Sequence, residues 1–208
     1  MMMSTQEIQA LFLEKVVAYG PERFLEVGCF EGNTSRTVKT TLPNCEVVAY
    51  EADPRNYIYF NSDIQSSNVK HVWAGISNFT GKENFYLQSV PGKMNHLWGN
   101  NSLNQRNDDY TKYVEFPVDV YTLDTLHNPE KTTCMWVDAE GCAYEVLEGA
   151  VSLLKNVQCM LIEVESTDHW TDQKMDADVV SLLEDQGFTV IARDQEYPQQ
   201  YNILVERK

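Results

Sequence analysis

The residues best suited to chemistry fall in two short runs, each closing an apolar stretch. In Glu26-Val27-Gly28-Cys29-Phe30-Glu31-Gly32-Asn33-Thr34-Ser35, two glycines four apart stand between a strand-like and a helix-like segment. Gly28 can take a tight turn, and Gly32 can let the backbone pass close to a ligand. A dinucleotide fingerprint would need glycine where the chain has Phe30, and the Gly-Lys-Ser/Thr ending of a phosphate loop is missing. Glu26 discourages a pyrophosphate and suits a cation such as an amino acid ammonium. The second run is Tyr50-Glu51-Ala52-Asp53-Pro54, with Glu51 23 residues after Gly28. A carboxylate there can accept two hydrogen bonds from a ribose diol. Taken singly, the first run also fits a plain strand–helix turn and the second a solvated strand-end acid. Together they describe a pocket for a nucleoside that carries an amino acid and no phosphate. S-adenosylmethionine is such a molecule.

Later acids extend the set. Asp138 follows the apolar Cys134-Met135-Trp136-Val137 and is the best candidate for a general base, which needs a raised pKa or a poised hydrogen bond. Glu140 and Glu163 fall near the same edge. Glu140 could instead cap a helix beginning around Cys142. Asp138 with Glu163 could hold a divalent ion, since paired carboxylates suit oxygen-loving metals. Trp170 could stack on a sugar and His169 relay a proton, or the pair could be a packing Trp beside a surface His. Asn101, Ser102 and Arg106 could bind substrate hydroxyls, and His96 reads as a solvated loop histidine.

Apolar spacing defines the elements that must position these groups. Ile8, Leu11, Phe12 and Val16 mark a first helix, opened by Ser4-Thr5-Gln6-Glu7 at capping-box spacing and stopped by Gly20-Pro21. Short strands are expected at Phe24–Val27, Val47–Tyr50, Val69–Ala74, Cys134–Val137 and Met160–Ile162. Helices are expected from about Asn33 to Lys39, after the Asp53-Pro54 cap, along Val146 to Leu154, and around Val179 to Leu183. Phe188–Ala192 and Ile203–Val205 close the chain as a hairpin. Strands that alternate with helices and are apolar throughout belong in a mainly parallel, doubly wound sheet. Ligands of such sheets bind beyond the strands' carboxyl ends. Residues 79–121 break the alternation with two strand-like pieces, Glu83–Leu87 and Val114–Tyr121. The polar segment between them, Ser89–Lys112, reads as a lid that partly packs through Met94, Leu97, Trp98 and Leu103.

Composition sets the outer limits. The 208 residues include 43% hydrophobic and 23% charged residues, which fits one globular domain over 1–208. A net charge of −15 opposes extended contact with nucleic acid or anionic lipid. No apolar run approaches the roughly 20 residues of a spanning helix, and the first residues lack the basic flank of a signal peptide. Five cysteines without a CxxC pair read as reduced packing residues of a cytoplasmic protein. Residues 161–190 hold eight acids against one lysine, which leans toward a neutral or cationic acceptor.

The ordered blocks resemble the class I methyltransferases, and more narrowly the FkbM family. They are Phe24–Gly28 with Gly32 and Ser35; Tyr50–Pro54; Gly75-Ile76-Ser77-Asn78 with Gly81; Asn101-Ser102-Leu103; Val118–Asp124; Trp136-Val137-Asp138-Ala139-Glu140-Gly141 running into Glu145–Ala150; and Leu161–Glu165. The chain departs from the family pattern at Cys29-Phe30-Glu31 and at Ala139, and the bulky Phe30 is placed to reshape the methionine pocket. The resemblance implies a Rossmann-like fold with a seven-stranded sheet and methyl transfer from S-adenosylmethionine to oxygen, with carbohydrate or polyketide hydroxyls as typical acceptors. It implies cofactor contacts at Glu26, Gly28, Gly32, Ser35, Glu51, Ala52, Ile76 and Ser77, the last two beside adenine. A nicotinamide-dependent oxidoreductase on a similar sheet is the nearest alternative, and a binding module without chemistry the next. The residues at 30 and 26 count against the first, and intact Asp138 and Glu163 against the second.

Overall fold

The structure is a computed structural model that describes residues 2–89, 97, 99–195 and 197–208. After a two-residue strand β1 (Met2–Met3) come α1 (Thr5–Tyr19), β2 (Arg23–Val27), α2 (Asn33–Thr41), β3 (Glu46–Glu51), α3 (Pro54–Ser66), β4 (Lys70–Trp73) and β5 (Gly75–Ile76). The middle of the chain forms β6 (Gly81–Gln88), β7 (Tyr113–Tyr121), α4 (Leu123–Leu126) and β8 (Thr133–Val137). Then follow α5 (Ala143–Glu148), α6 (Val151–Leu154), β9 (Val157–Glu165), α7 (Asp176–Asp185), β10 (Phe188–Asp194) and β11 (Gln200–Arg207).

The main sheet runs β1-β10-β11-β9-β8-β2-β3-β4. It holds the seven expected strands plus β1, whose two residues pair with Arg193 and Asp194 at the edge. The chain closes with the expected antiparallel hairpin, β11 being wedged between β10 and β9 and antiparallel to both. Strand order reverses beside β2, with β3 and β4 built outward on one side and β8 and β9 on the other. That reversal opens a crevice above the carboxyl ends of β2 and β8.

Each central strand is buried on both faces, and alternate residues enter different cores. Phe24, Val47, Ala49, Cys134, Trp136 and Leu161 pack with Ile8, Phe12 and Val16 of α1 and with Val38 and Ile64 of α2 and α3. Leu25, Val27, Val48, Tyr50, Met135, Val137, Met160 and Ile162 pack against α5, α6 and α7. Ser4 and Glu7 form the capping box that begins α1, and left-handed Gly20 ends it.

Two elements differ from expectation. The stripe Val146–Leu154 is two short helices, because Gly149 packs against the Ser77 carbonyl so closely that a Cβ would stand 2.1 Å from the oxygen. Asp124 then caps α6, accepting hydrogen bonds from the amides of Ser152 (2.9 Å) and Leu153 (2.8 Å). The third strand ends at Trp73, and Gly75–Ile76 leaves the main sheet to join a three-stranded sheet ordered β5-β7-β6. That small sheet roofs the crevice, with Phe85, Leu87, Val118 and Val120 as its own core and Leu103 packed against them. Of the expected lid, Met94, His96 and Trp98 lie outside the described residues.

Candidate active site

The strand register builds the site. Val27 pairs with Tyr50 and Val137, and Val137 with Ile162. The next residues, Gly28, Glu51, Asp138 and Glu163, therefore form one level across four adjacent strands, β2, β3, β8 and β9. Three of the four carry carboxylates, and Gly28 leaves a gap among them. A cavity of about 470 Å³ lies above this row and is lined by all four.

Gly28 is required twice over. Its φ of +76° is left-handed, and a Cβ would meet the Asp138 carbonyl oxygen at 1.8 Å. Glu51 is buried at the cavity wall, its oxygens accepting from the amides of Phe30 (2.8 Å) and Asp53 (2.8 Å). These bonds fix its orientation, and a carboxylate has lone pairs left for further donors. Ala52, Gly75 and Ile76 also line the cavity, with Asn56 and Phe85 that the sequence did not single out. Phe30 lies on the wall in a left-handed conformation, its ring 5.3 Å from that of Phe60.

Other expected cofactor contacts sit elsewhere. Glu26 lies two positions below the row and on the face of Phe24, so its carboxylate is turned under α2, where it accepts the Ser35 amide at 3.0 Å. The N-cap of α2 is Gly32, which has no side chain to cap with, and Glu26 caps it from the neighbouring strand. Gly32 does not line the cavity: a Cβ there would strike Ile64 at 2.7 Å, so this glycine lets α2 and α3 pack closely. Ser35 is fully buried against Glu26. Ser77 lies under Gly149 and does not line the cavity, where Ala74 and Gly75 take the corresponding wall.

On the catalytic side, Asp138, Glu140 and Glu163 bring ligand oxygens within 4.8 Å of one another. Glu140 is left-handed (φ +38°) and lines the cavity, three residues before α5 begins at Ala143. Gln200 of β11 donates to Glu163 at 2.8 Å, a partner that only the wedged strand supplies.

The expected acceptor groups divide sharply. Asn101 lines the cavity but is held at both ends, its amide donating to Asp53 (2.8 Å) and its oxygen accepting from the Gln88 amide (2.8 Å). Ser102 is equally occupied, donating to the Glu140 carbonyl (2.6 Å) and accepting from the Asn104 amide (3.0 Å). They clasp the insert onto the two strand-end loops. Trp170 is buried, not stacked toward the cavity: its indole fills the space beside Gly141, where a Cβ would meet it at 2.3 Å. His169 is paired with the Thr167 hydroxyl and is not on the wall. Arg106 is on the wall, its guanidinium 4.2 Å over the Trp170 ring.

Burial drives the electrostatics. Desolvation pushes Glu26, Glu51 and Glu165 up to about 7, with Asp138 adding to the rise at Glu26 and Glu165 and Asp53 at Glu51. Glu163 is raised well above the carboxylate range by burial and then by Asp138, Glu140 and Glu165. An acid whose folded pKa exceeds its unfolded value of 4.5 holds a proton the unfolded chain has released, so stability falls as pH rises from 4.5 through 7. His71 and His127, lowered to about 4 by burial, oppose this only below 6.5, the value they have when unfolded. The ligand-free protein should therefore lose about 2 kcal/mol between pH 6.5 and 8, or roughly 4–8 °C in Tm. Thermal unfolding at fixed ionic strength checks this, and a Tm that holds or rises over that interval contradicts it.

A reversed-order parallel sheet, a glycine turn after its first central strand and an acid at the end of the next define a Rossmann-like nucleotide-binding protein of the class I methyltransferase type. The sequence model for the FkbM methyltransferase domain matches residues 24–190. The chain belongs to that family of S-adenosylmethionine-dependent methyltransferases. An FkbM methyltransferase from Methylobacillus flagellatus KT is similar in structure, at a TM-score of 0.56 and 14% identity over 89% of this chain. The match takes in 44% of that protein, so this chain spans less than half its length. A precorrin-6y C5,15-methyltransferase from Geobacter metallireducens GS-15 matches at 0.52 and 14% identity, over 100% of this chain and 90% of the other. Magnesium protoporphyrin IX methyltransferase from Synechocystis PCC 6803, solved with bound S-adenosylmethionine, matches at 0.50 and 11%, covering 98% and 79%. These likenesses concern the fold. No curated protein sequence matches the chain. No helix among the described residues is long and apolar enough to cross a membrane.

Proposed function

We propose that this protein transfers a methyl group from S-adenosylmethionine to a hydroxyl of a carbohydrate or other small acceptor. The observation that carries the reading is the level row of Gly28, Glu51, Asp138 and Glu163 beneath one cavity. Gly28 lets the turn after β2 close against the Asp138 carbonyl beside the cavity, and Glu51 stands buried and oriented two strands from Asp138. Bound S-adenosylmethionine supplies an electrophilic methyl carbon that carries its own leaving group. Glu51 accepts the ribose hydroxyls, the turn at Gly28 admits the methionine end, and Asp138 takes the proton of the acceptor hydroxyl. Residues of the small sheet and the held pair Asn101 and Ser102 line the cavity beside the reacting centre. A net charge of −15 supports small acceptors over nucleic acid or anionic membrane, and five buried cysteines outside any disulfide support a reducing cytoplasmic setting.

A thermal-shift screen tests the reading. S-adenosylmethionine and adenosylhomocysteine should raise Tm by mass action, and nicotinamide dinucleotides should not. A larger shift with the dinucleotides would favour the oxidoreductase. A labelled-methyl assay on glycans and small alcohols then tests transfer to oxygen. Glu51→Ala should weaken adenosylhomocysteine by about 1–3 kcal/mol, the size of a lost hydrogen bond to a charged group; an unchanged calorimetric affinity would remove Glu51 from the pocket.

The clustered oxygens of Asp138, Glu140 and Glu163 favour a second version of the same reaction. This all-oxygen donor set suits Mg²⁺ or Ca²⁺, and such an ion would lower the pKa of an acceptor hydroxyl. Activity lost to a chelator and restored by Mg²⁺ would favour this version over a free Asp138 base.

A further inference from the structure

Among the described residues lining the cavity, Arg106 is the sole cation, set against the acids Glu51, Asp138, Glu140 and Glu163. Its place is built from both sides. The Arg106 amide donates to the Tyr113 hydroxyl at 2.6 Å, and Arg106 bridges to Trp170. On either side, the Thr171 amide donates to the Gln105 carbonyl (2.8 Å) and the Asn107 amide to the His169 carbonyl (2.9 Å). The segment after β9 thus zips onto residues 105–107, and the buried Trp170 ring carries the guanidinium. No carboxylate among the described residues lies within 4.0 Å of it. A guanidinium is a planar fork of donors matched to a carboxylate. One held on a ring at the cavity wall, with Glu165 and Asp108 acting on it only from beyond ion-pair distance, keeps donors for a ligand's carboxylate.

We propose that Arg106 receives a carboxylate presented by a ligand of this cavity, which rests on the reading that an adenosyl cofactor and a hydroxyl acceptor share it. Position favours the acceptor as the source. Arg106 is anchored beyond β9, whereas Glu51 ends β3, and β2 and β8 lie between. The acceptor is then a hydroxy acid, such as a uronic sugar, despite the acidity of residues 161–190. The cofactor's own methionine carboxylate is the other source of the same chemistry.

Calorimetry on wild type, Arg106→Gln and Arg106→Lys separates these. Adenosylhomocysteine and 5′-methylthioadenosine, which lacks the amino acid, are titrated first; glucuronate and glucose are then titrated into protein saturated with adenosylhomocysteine. The expected result is that Arg106→Gln weakens glucuronate by about 10- to 100-fold, as for a lost charge-assisted bond. Glucose and both nucleosides should be unaffected, and Arg106→Lys intermediate. Loss of adenosylhomocysteine affinity with 5′-methylthioadenosine retained assigns the carboxylate to the cofactor instead, and retained 5′-methylthioadenosine shows that the variant is folded. The inference is overturned if adenosylhomocysteine binds all three proteins alike and glucuronate either binds them alike or fails to bind wild type. Wild type that binds neither nucleoside would sink the methyltransferase reading itself, a separate outcome.

Discussion

Asp138→Asn should slow methyl transfer by about 10²- to 10⁴-fold, the usual contribution of a positioned general base. Adenosylhomocysteine affinity should stay within about twofold. The substitution keeps the side chain's shape and removes its capacity to take a proton. The backbone that seats the residue is untouched, since its amide donates to the Val27 carbonyl (2.9 Å) and its own carbonyl faces Gly28. The same change removes a negative charge that raises Glu26, Glu163 and Glu165. The decline in stability between pH 6.5 and 8 should therefore be shallower in the variant. Single-turnover rates on an acceptor from the labelled-methyl panel, with calorimetry alongside, decide the matter. Turnover at the wild-type level would show that Asp138 is not the base, and lost cofactor affinity would assign it to binding.

Gly28→Ala should have the largest effect on binding. Left-handed backbone costs an alanine about 1–2 kcal/mol. A Cβ 1.8 Å from the Asp138 carbonyl oxygen must push the turns after β2 and β8 apart, since the obstacle is backbone and not a flexible side chain. Overpacking of that kind adds about 1–3 kcal/mol, so Tm should fall by roughly 4–20 °C at this chain length. The same turn holds the amides of Gly28 (3.0 Å) and Cys29 (2.9 Å) on the Tyr50 carbonyl, next to Glu51. Adenosylhomocysteine affinity should drop by about 100-fold or more, some 3 kcal/mol. Gly32→Ala is the control. It is also left-handed, but it meets the end of the Ile64 side chain and lies off the cavity wall. It should lower Tm and leave cofactor affinity nearly unchanged. Equal losses of affinity in the two variants would contradict the assignment of Gly28 alone to the pocket.

Much of this architecture is written locally. Fully apolar strands, the Asp53-Pro54 cap and the glycine turn each depend on a few adjacent residues, and each appears where its own segment demands it. Glu51 and Asp138 end strands in the sequence and border the cavity in the structure for the same reason. Even the turning of Glu26 toward α2 follows a local rule, because alternation puts it on the face of Phe24, which packs under α1.

What separates strands in the chain was decided only by tertiary structure. Alternation says which face a residue takes, but pairing register says how high it sits, and register is set between segments distant in sequence. Register puts Glu51, Asp138 and Glu163 at one level and leaves Glu26 two positions below, beyond reach of the cavity. The insert follows the same logic. Asn101, Ser102 and Trp170 have side chains fit to hold a substrate, and folding commits them to Asp53, Glu140 and Gly141. A polar or aromatic side chain goes to the nearest partner that desolvates with it, and that partner is known only once the chain has closed. Arg106 finds an aromatic face and, among the described residues, no carboxylate within 4.0 Å, and it lines the cavity.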